Sequence, residues 1–139
     1  MGRIVGIDWG RARIGVAVSD ESKFLASPLK TLNTTPKFLD TIKLLAEEIE
    51  SVEKLEAVVI GLPLKMSGEE SPMSVEVRAV KAELEKTLSA PIILWDERLT
   101  TAGVERTLRD AGIKRKKRAQ IVDTLAACTI LQSYLDSRP

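Results

Sequence analysis

Two short apolar runs open the chain, Arg3 to Asp8 and Ile14 to Ser19, both rich in β-branched residues and separated by WGRAR. That pattern predicts a β-hairpin. FLASPLKTL, Phe24 to Leu32, offers a weaker third strand, in which Pro28 predicts a sheet edge or a bulge. The period then changes. Phe38, Leu39, Ile42, Leu45, Ala46, Ile49 and Val52 recur at helical spacing, with Thr35 placed as N-cap and Pro36 as first helical residue. EAVVIGLP is continuously apolar, as a strand buried on both faces is, and is expected to stop at Gly61 and Pro63. LKMSGEESP is a polar loop. A helix is predicted over Ser74 to Leu88, and Pro91 opens a further buried strand, PIILWDER. Thr101 to Ala111 reads as a helix ended by Gly112, IKRKKR as a basic connector, and Ala119 to Leu135 as the last helix.

The order β-β-β-α-β-α-β-α combines a meander with later strand–helix crossovers. It predicts an α/β fold with a mixed five-stranded sheet and helices on both faces. At 139 residues the chain is expected to form one domain over 1–139.

Composition removes several chemistries. Net charge is +1, so any polyanion site must be local. There is no histidine, which excludes imidazole metal sites and histidine-based nucleophile pairs. Cys128 stands alone and cannot form an internal disulfide. No apolar run reaches transmembrane length and no signal-peptide pattern opens the chain, so no membrane partner and a cytoplasmic location are expected. If the protein is an enzyme, its chemistry rests on carboxylates, amines or hydroxyls.

Acids in apolar surroundings stand out. Asp8 ends the first strand, Asp96 and Glu97 end the fifth, and Asp123 lies in the last helix. Asp123 shares a helical face with Ala127, Ile130 and Tyr134, while Ile121, Val122, Leu125, Cys128, Leu131 and Leu135 occupy other faces. That helix is apolar nearly all round, and a lone ionised carboxylate within it is costly unless paired or bound to a metal. The bland alternatives are an ion pair for Asp123, a turn acid for Asp8, and an N-cap for Asp96 or Glu97. Only one of the adjacent pair can share the face of Asp8, because strand side chains alternate. Carboxylates converging from separate elements fit a hard divalent ion, Mg²⁺ or Mn²⁺. Two such ions roughly 3.5–4 Å apart can support phosphodiester hydrolysis. The run Lys114, Arg115, Lys116, Lys117 and Arg118, together with Arg11, Arg13 and Arg98, could contact phosphates. Trp9 is the only aromatic inside a motif, so backbone recognition is expected over base reading. The Gly61–Pro72 stretch has no GxxxxGK[ST] pattern and is read as a substrate-facing loop.

GIDWGRARIGVAVSD, GLPL followed by SG, DERLTT and DTLAACTILQSYL together resemble the signature blocks of the YqgF or RuvX-like family, in the family's order, from Arg3 to about Leu135. Members are described as bacterial Holliday junction resolvases and also as nucleases maturing pre-16S rRNA. The resemblance implies a ribonuclease-H-like fold and a metal-dependent nuclease, with Asp8 as first-strand acid, Glu97 as strand-end acid in preference to Asp96, and Asp123 as last-helix acid. It implies an rRNA precursor as substrate, with branched DNA as the alternative, and a monomer or homodimer. A non-catalytic nucleic-acid or protein-binding module is the rival reading. The loop LKMSGEES departs from relatives, which more often have Asn after the Leu and DGS near the Gly. The wider resolvase class has four site acids where three are found here.

Overall fold

The computed structural model describes residues 2–100 and 116–138, with side chains at all of these except 99 and 116–124. Five strands, β1 (Arg3–Trp9), β2 (Arg13–Ser19), β3 (Ala26–Asn33), β4 (Leu55–Leu62) and β5 (Ile92–Asp96), form one sheet in the order β3-β2-β1-β4-β5. β1 lies antiparallel to β2 and parallel to β4, and β5 lies parallel to β4. The meander and the crossovers are thus joined at β1, and the sheet is mixed as expected. The predicted helix at Thr101–Ala111 falls outside the described residues.

The first hairpin forms around Gly10, where a Cβ would stand 2.5 Å from the Arg13 carbonyl oxygen. Any side chain there would force the turn open. Pro28 satisfies both readings offered for it. β3 is an edge strand, and the register slips where Val16 faces Lys30 but Ala17 faces Pro28, leaving Leu29 as an extra residue.

Helix α1 (Phe38–Glu50) buries Ile42, Leu45, Ala46 and Ile49 on the predicted face, but Leu39 is exposed. Its start also differs from expectation. Thr35 is not the cap: the helix begins after Lys37, and the Thr35 hydroxyl meets that of buried Thr41 at 3.0 Å. Satisfying a buried hydroxyl there outweighs a cap at an exposed helix end. Helix α2 (Pro72–Glu85) starts two residues earlier than predicted, at a capping box in which Ser71 and Ser74 exchange hydrogen bonds of 3.0 and 2.7 Å. It also ends earlier, at Glu85 rather than Leu88.

The last helix, α3 (Lys116–Ser137), already includes Lys116, Lys117 and Arg118, which sequence placed in a connector. Ala126, Ala127, Ile130, Leu131 and Leu135 are buried, while Leu125 is exposed. α1 and α2 pack with Val5, Ile7, Trp9, Val58 and Ile60 on one face of the sheet. α3 packs with Ile4, Ala17, Ala57 and Val59 on the other. Burying each large aliphatic side chain contributes about 1.5–3 kcal/mol, so two apolar layers are needed and both are filled. No helix among the described residues is long and apolar enough to cross a membrane.

Candidate active site

Asp8 answers to the geometry of the central strand. It stands one residue before the end of β1, opposite Gly15 of β2, and is 1% exposed. On the other side Ile7 pairs with Ile60, so Asp8 is flanked by Gly61 of β4. Strand alternation puts Ile4, Gly6 and Asp8 on the α3 face. Gly6 confirms the facing: a Cβ there would lie 2.6 Å from Leu131 Cβ and 3.1 Å from the Ala127 carbonyl. The helix backbone therefore rests directly on the strand that carries the acid.

Glu97 arrives from the neighbouring side. β5 ends at Asp96, and Glu97 is the first residue of a short 3-10 turn, Glu97–Leu99, rather than the end of the strand. Its Oε2 lies 2.5 Å from the point where a Gly61 Cβ would be, and Ile130 Cδ1 lies 2.6 Å from the same point. The carboxylate occupies the space that a side chain on β4 would fill. Gly61, expected to stop the strand, lies inside β4. Its role is to leave room. A glycine in a strand one register step from a buried acid was the available signal.

The choice between Asp96 and Glu97 is decided by packing. Ile93 and Trp95 pack against the α3 layer, whereas Ile92 and Leu94 pack with α1 and α2. Continuing that alternation sends Glu97 to the face of Asp8 and Asp96 to the opposite one. Asp96 instead caps the turn, accepting from the Arg98 amide at 3.0 Å, and pairs with the Arg98 guanidinium at 2.7 Å. The hydrogen bond from Arg98 holds its carboxyl below the usual aspartate range. Asp96 therefore caps the 3-10 turn, while the Thr101 helix that sequence expected it to cap lies outside the described residues, and Glu97 is the acid that shares a face with Asp8.

Asp8 Oδ2 and Glu97 Oε2 are both shielded from solvent. Two buried hard-oxygen donors at the carboxyl ends of parallel strands in a mixed sheet are of the type that suits a hard divalent cation. Among the described residues no group of three such donors occurs. Asp123 lies on α3, four residues before Ala127 and seven before Ile130, and its side chain is outside the described set.

The predicted cations divide. Arg13 opens β2, and alternation places it on the Asp8 face, half-buried; Arg11 is exposed on the hairpin turn at the same end of the sheet. The Arg98 guanidinium is engaged by Asp96 and also donates to the Met66 carbonyl at 3.3 Å. Lys114 and Arg115 fall outside the described residues, and Lys116, Lys117 and Arg118 open α3. Trp9 is a core residue, 3% exposed and packed edge-on against Phe38 with ring centroids 5.9 Å apart. It offers no stacking platform for a base.

The fold has counterparts among solved structures. The fowlpox virus Holliday junction resolvase matches with a TM-score of 0.55 and 12% identity, over 97% of this chain and 98% of that one. T. thermophilus RuvC, solved in complex with Holliday junction substrate, matches with a TM-score of 0.53 and 18% identity, over 99% and 96%. These likenesses place the fold in the ribonuclease-H-like class. A protein of Protochlamydia amoebophila (strain UWE25), named as a pre-16S rRNA nuclease, is 48% identical over 141 residues, 98% of this chain and 94% of its own. Residues 2–137 match the RuvX family, described as Holliday junction resolvase, and the chain belongs to that family.

Proposed function

We propose that this protein is a metal-dependent nuclease that hydrolyses phosphodiester bonds in the precursor of 16S rRNA. The observation that carries the reading is that Asp8, near the end of β1, and Glu97, just after β5, are both buried on the α3 face on either side of β4, with Glu97 seated over Gly61. The name carried by the P. amoebophila relative supports the substrate.

Asp8 and Glu97 would hold Mg²⁺ or Mn²⁺, with Asp123 as the third carboxylate. The spacing of α3 supports that third position. Gln132 bonds to Phe24 and Ala26, at the end of the sheet opposite to Asp8. Nine helical residues back from Gln132 is about 14 Å, and four strand residues cover about 13 Å. With α3 running along β1, that distance would bring Asp123 to the level of Asp8. An ion held there would supply an activated water and charge stabilisation at phosphorus. The chain's own contribution is positional: Gly6 and Gly61 let α3 and the Glu97 carboxylate close on the sheet, keeping the donors on one face. Arg11, Arg13 and the Lys114–Arg118 run would contact backbone phosphates on the cytoplasmic RNA substrate.

The test is cleavage of a precursor 16S rRNA fragment and of a four-way DNA junction, side by side with Mn²⁺ or Mg²⁺. Asp8→Asn protein, which keeps the shape and loses the charge, runs beside the wild type. RNA cleavage that disappears in Asp8→Asn supports the proposal. Cleavage of the junction alone would transfer the activity to branched DNA, the substrate in the family's description. Binding of RNA without cleavage of either substrate would refute the nuclease reading and leave a binding module.

A further inference from the structure

The backbone around Glu97 is held by contacts that the proposed reaction leaves unused. Asp96 and Arg98 bracket Glu97. Asp96 Oδ1 accepts from the Arg98 amide at 3.0 Å and from Arg98 Nε at 3.1 Å, and Asp96 Oδ2 accepts from Nε at 2.9 Å. Nη2 completes the ion pair with Oδ2 at 2.7 Å. From the other side, buried Thr100 secures the Glu97 carbonyl, its hydroxyl donating at 2.8 Å and its amide at 3.1 Å. The free end of the guanidinium then reaches across to the loop after β4, where Nη1 donates to the Met66 carbonyl. The loop is shaped to receive it: Gly68 has φ +91° and presents no side chain to Nη1, which lies 3.2 Å from the vacant Cβ position.

We infer that Asp96, Arg98 and Thr100 are positioning residues that brace Glu97 over Gly61 and tie its turn to the Lys65–Gly68 loop. Charge placement favours this over a phosphate contact for Arg98. A guanidinium whose fork already faces a carboxylate has its bidentate edge occupied, and the paired acid cancels its field at a distance. The span of the contact adds a second role. Arg98 joins two segments separated by 32 residues in sequence, so one side chain couples the loop wall to the acid.

The inference rests on Glu97 being a site acid, and the experiment separates the two ideas. Arg98→Ala, Arg98→Lys, Asp96→Ala and the double variant Asp96→Ala/Arg98→Ala are compared with wild type. The readouts are cleavage of the precursor 16S rRNA fragment with Mn²⁺, RNA affinity at several salt concentrations, and trypsin cutting after exposed Lys65 in the native protein. A brace predicts that all four variants lower kcat by about 10–100-fold, the scale for misplacing a reacting group by about 1 Å. KM and the salt slope of RNA binding stay at the wild-type value. The double variant is no worse than either single one, because both remove the same link. Cutting after Lys65 becomes faster in each.

A phosphate contact predicts the reverse. Arg98→Lys then keeps activity, Arg98→Ala weakens affinity and reduces the salt slope by about 1, and Asp96→Ala keeps the wild-type kcat. Any of these results overturns the brace. If the wild type cleaves nothing, the nuclease reading fails by itself. Trypsin then decides the brace alone, and unchanged cutting after Lys65 in Arg98→Ala and Asp96→Ala overturns it.

Discussion

Replacing Gly61 with alanine adds one methyl group at the most crowded point of the site. The new carbon would stand 2.5 Å from Glu97 Oε2, 2.6 Å from Ile130 Cδ1 and 3.3 Å from Ile130 Cγ1. Ordinary contact begins near 3.4 Å, so the methyl and its neighbours must separate by about 1 Å. Ile130 is fully buried and packed into the α3 layer, and yielding there disturbs the whole layer. The Glu97 carboxylate sits at the end of a flexible side chain and is the group that gives way.

Overpacking of this kind costs about 1–3 kcal/mol. That is smaller than the roughly 5–15 kcal/mol that stabilises a typical domain, so the variant stays folded at 25 °C. A displacement of about 1 Å at a reacting group costs about 100-fold in rate. Urea unfolding followed by far-UV circular dichroism reads the first quantity, and single-turnover cleavage of the RNA fragment reads the second. Gly61→Ala/Glu97→Asp isolates the cause. The shorter side chain withdraws the carboxylate, so stability recovers the part of the loss that Glu97 causes while activity does not recover. A Gly61→Ala protein with the wild-type urea midpoint and rate would refute the reasoning. So would a double variant no more stable than the single one, which would assign the clash to Ile130.

Two further outcomes follow from the same contacts. Ser71→Ala removes the cap of α2 together with the 2.6 Å hydrogen bond from Ser71 Oγ to the Pro63 carbonyl; the urea midpoint should fall by the equivalent of about 1 kcal/mol, and an unchanged midpoint would show the box to be decorative. Asp20 accepts from the Ser22 hydroxyl and from the amides of Phe24 and Leu25, which lowers its pKa, the Ser22 hydrogen bond being the largest cause. The sign follows directly: the contribution to loop order is complete above the unfolded value of about 3.9 and is lost as pH falls through the lower folded value. An NMR titration of the Asp20 carboxyl should therefore have its midpoint below that of an unfolded aspartate, and a midpoint at or above it contradicts the loop geometry.

Local pattern was sufficient for the elements because it acts through near neighbours. The apolar, β-branched runs Arg3–Asp8 and Ile14–Ser19, the helical period from Phe38 to Ile49 and the continuous run into Leu62 each report how one segment buries its own side chains. The element order then restricted topology, since β1 must accept both a hairpin partner and a crossover partner. Asp8 and Glu97 were legible as oddities, a charge where the pattern asks for an apolar residue. Boundaries were less legible where two local preferences compete, as at Thr35, which binds Thr41 instead of capping α1.

Tertiary structure decided whatever depends on distance between segments far apart in the chain. That Gly61 is a vacancy for Glu97 and not a strand stop needs β4, the turn after β5 and α3 in place together, 33 residues and more from one another along the sequence. That Arg98 is committed to Asp96 and Met66 needs the loop after β4 to lie beside the turn. Sequence supplied the acids, because a misplaced charge is visible from its immediate neighbours. It was silent on the glycines and the brace, because an empty volume and a cross-chain hydrogen bond exist only once the partners have been brought together by burial of the two apolar layers.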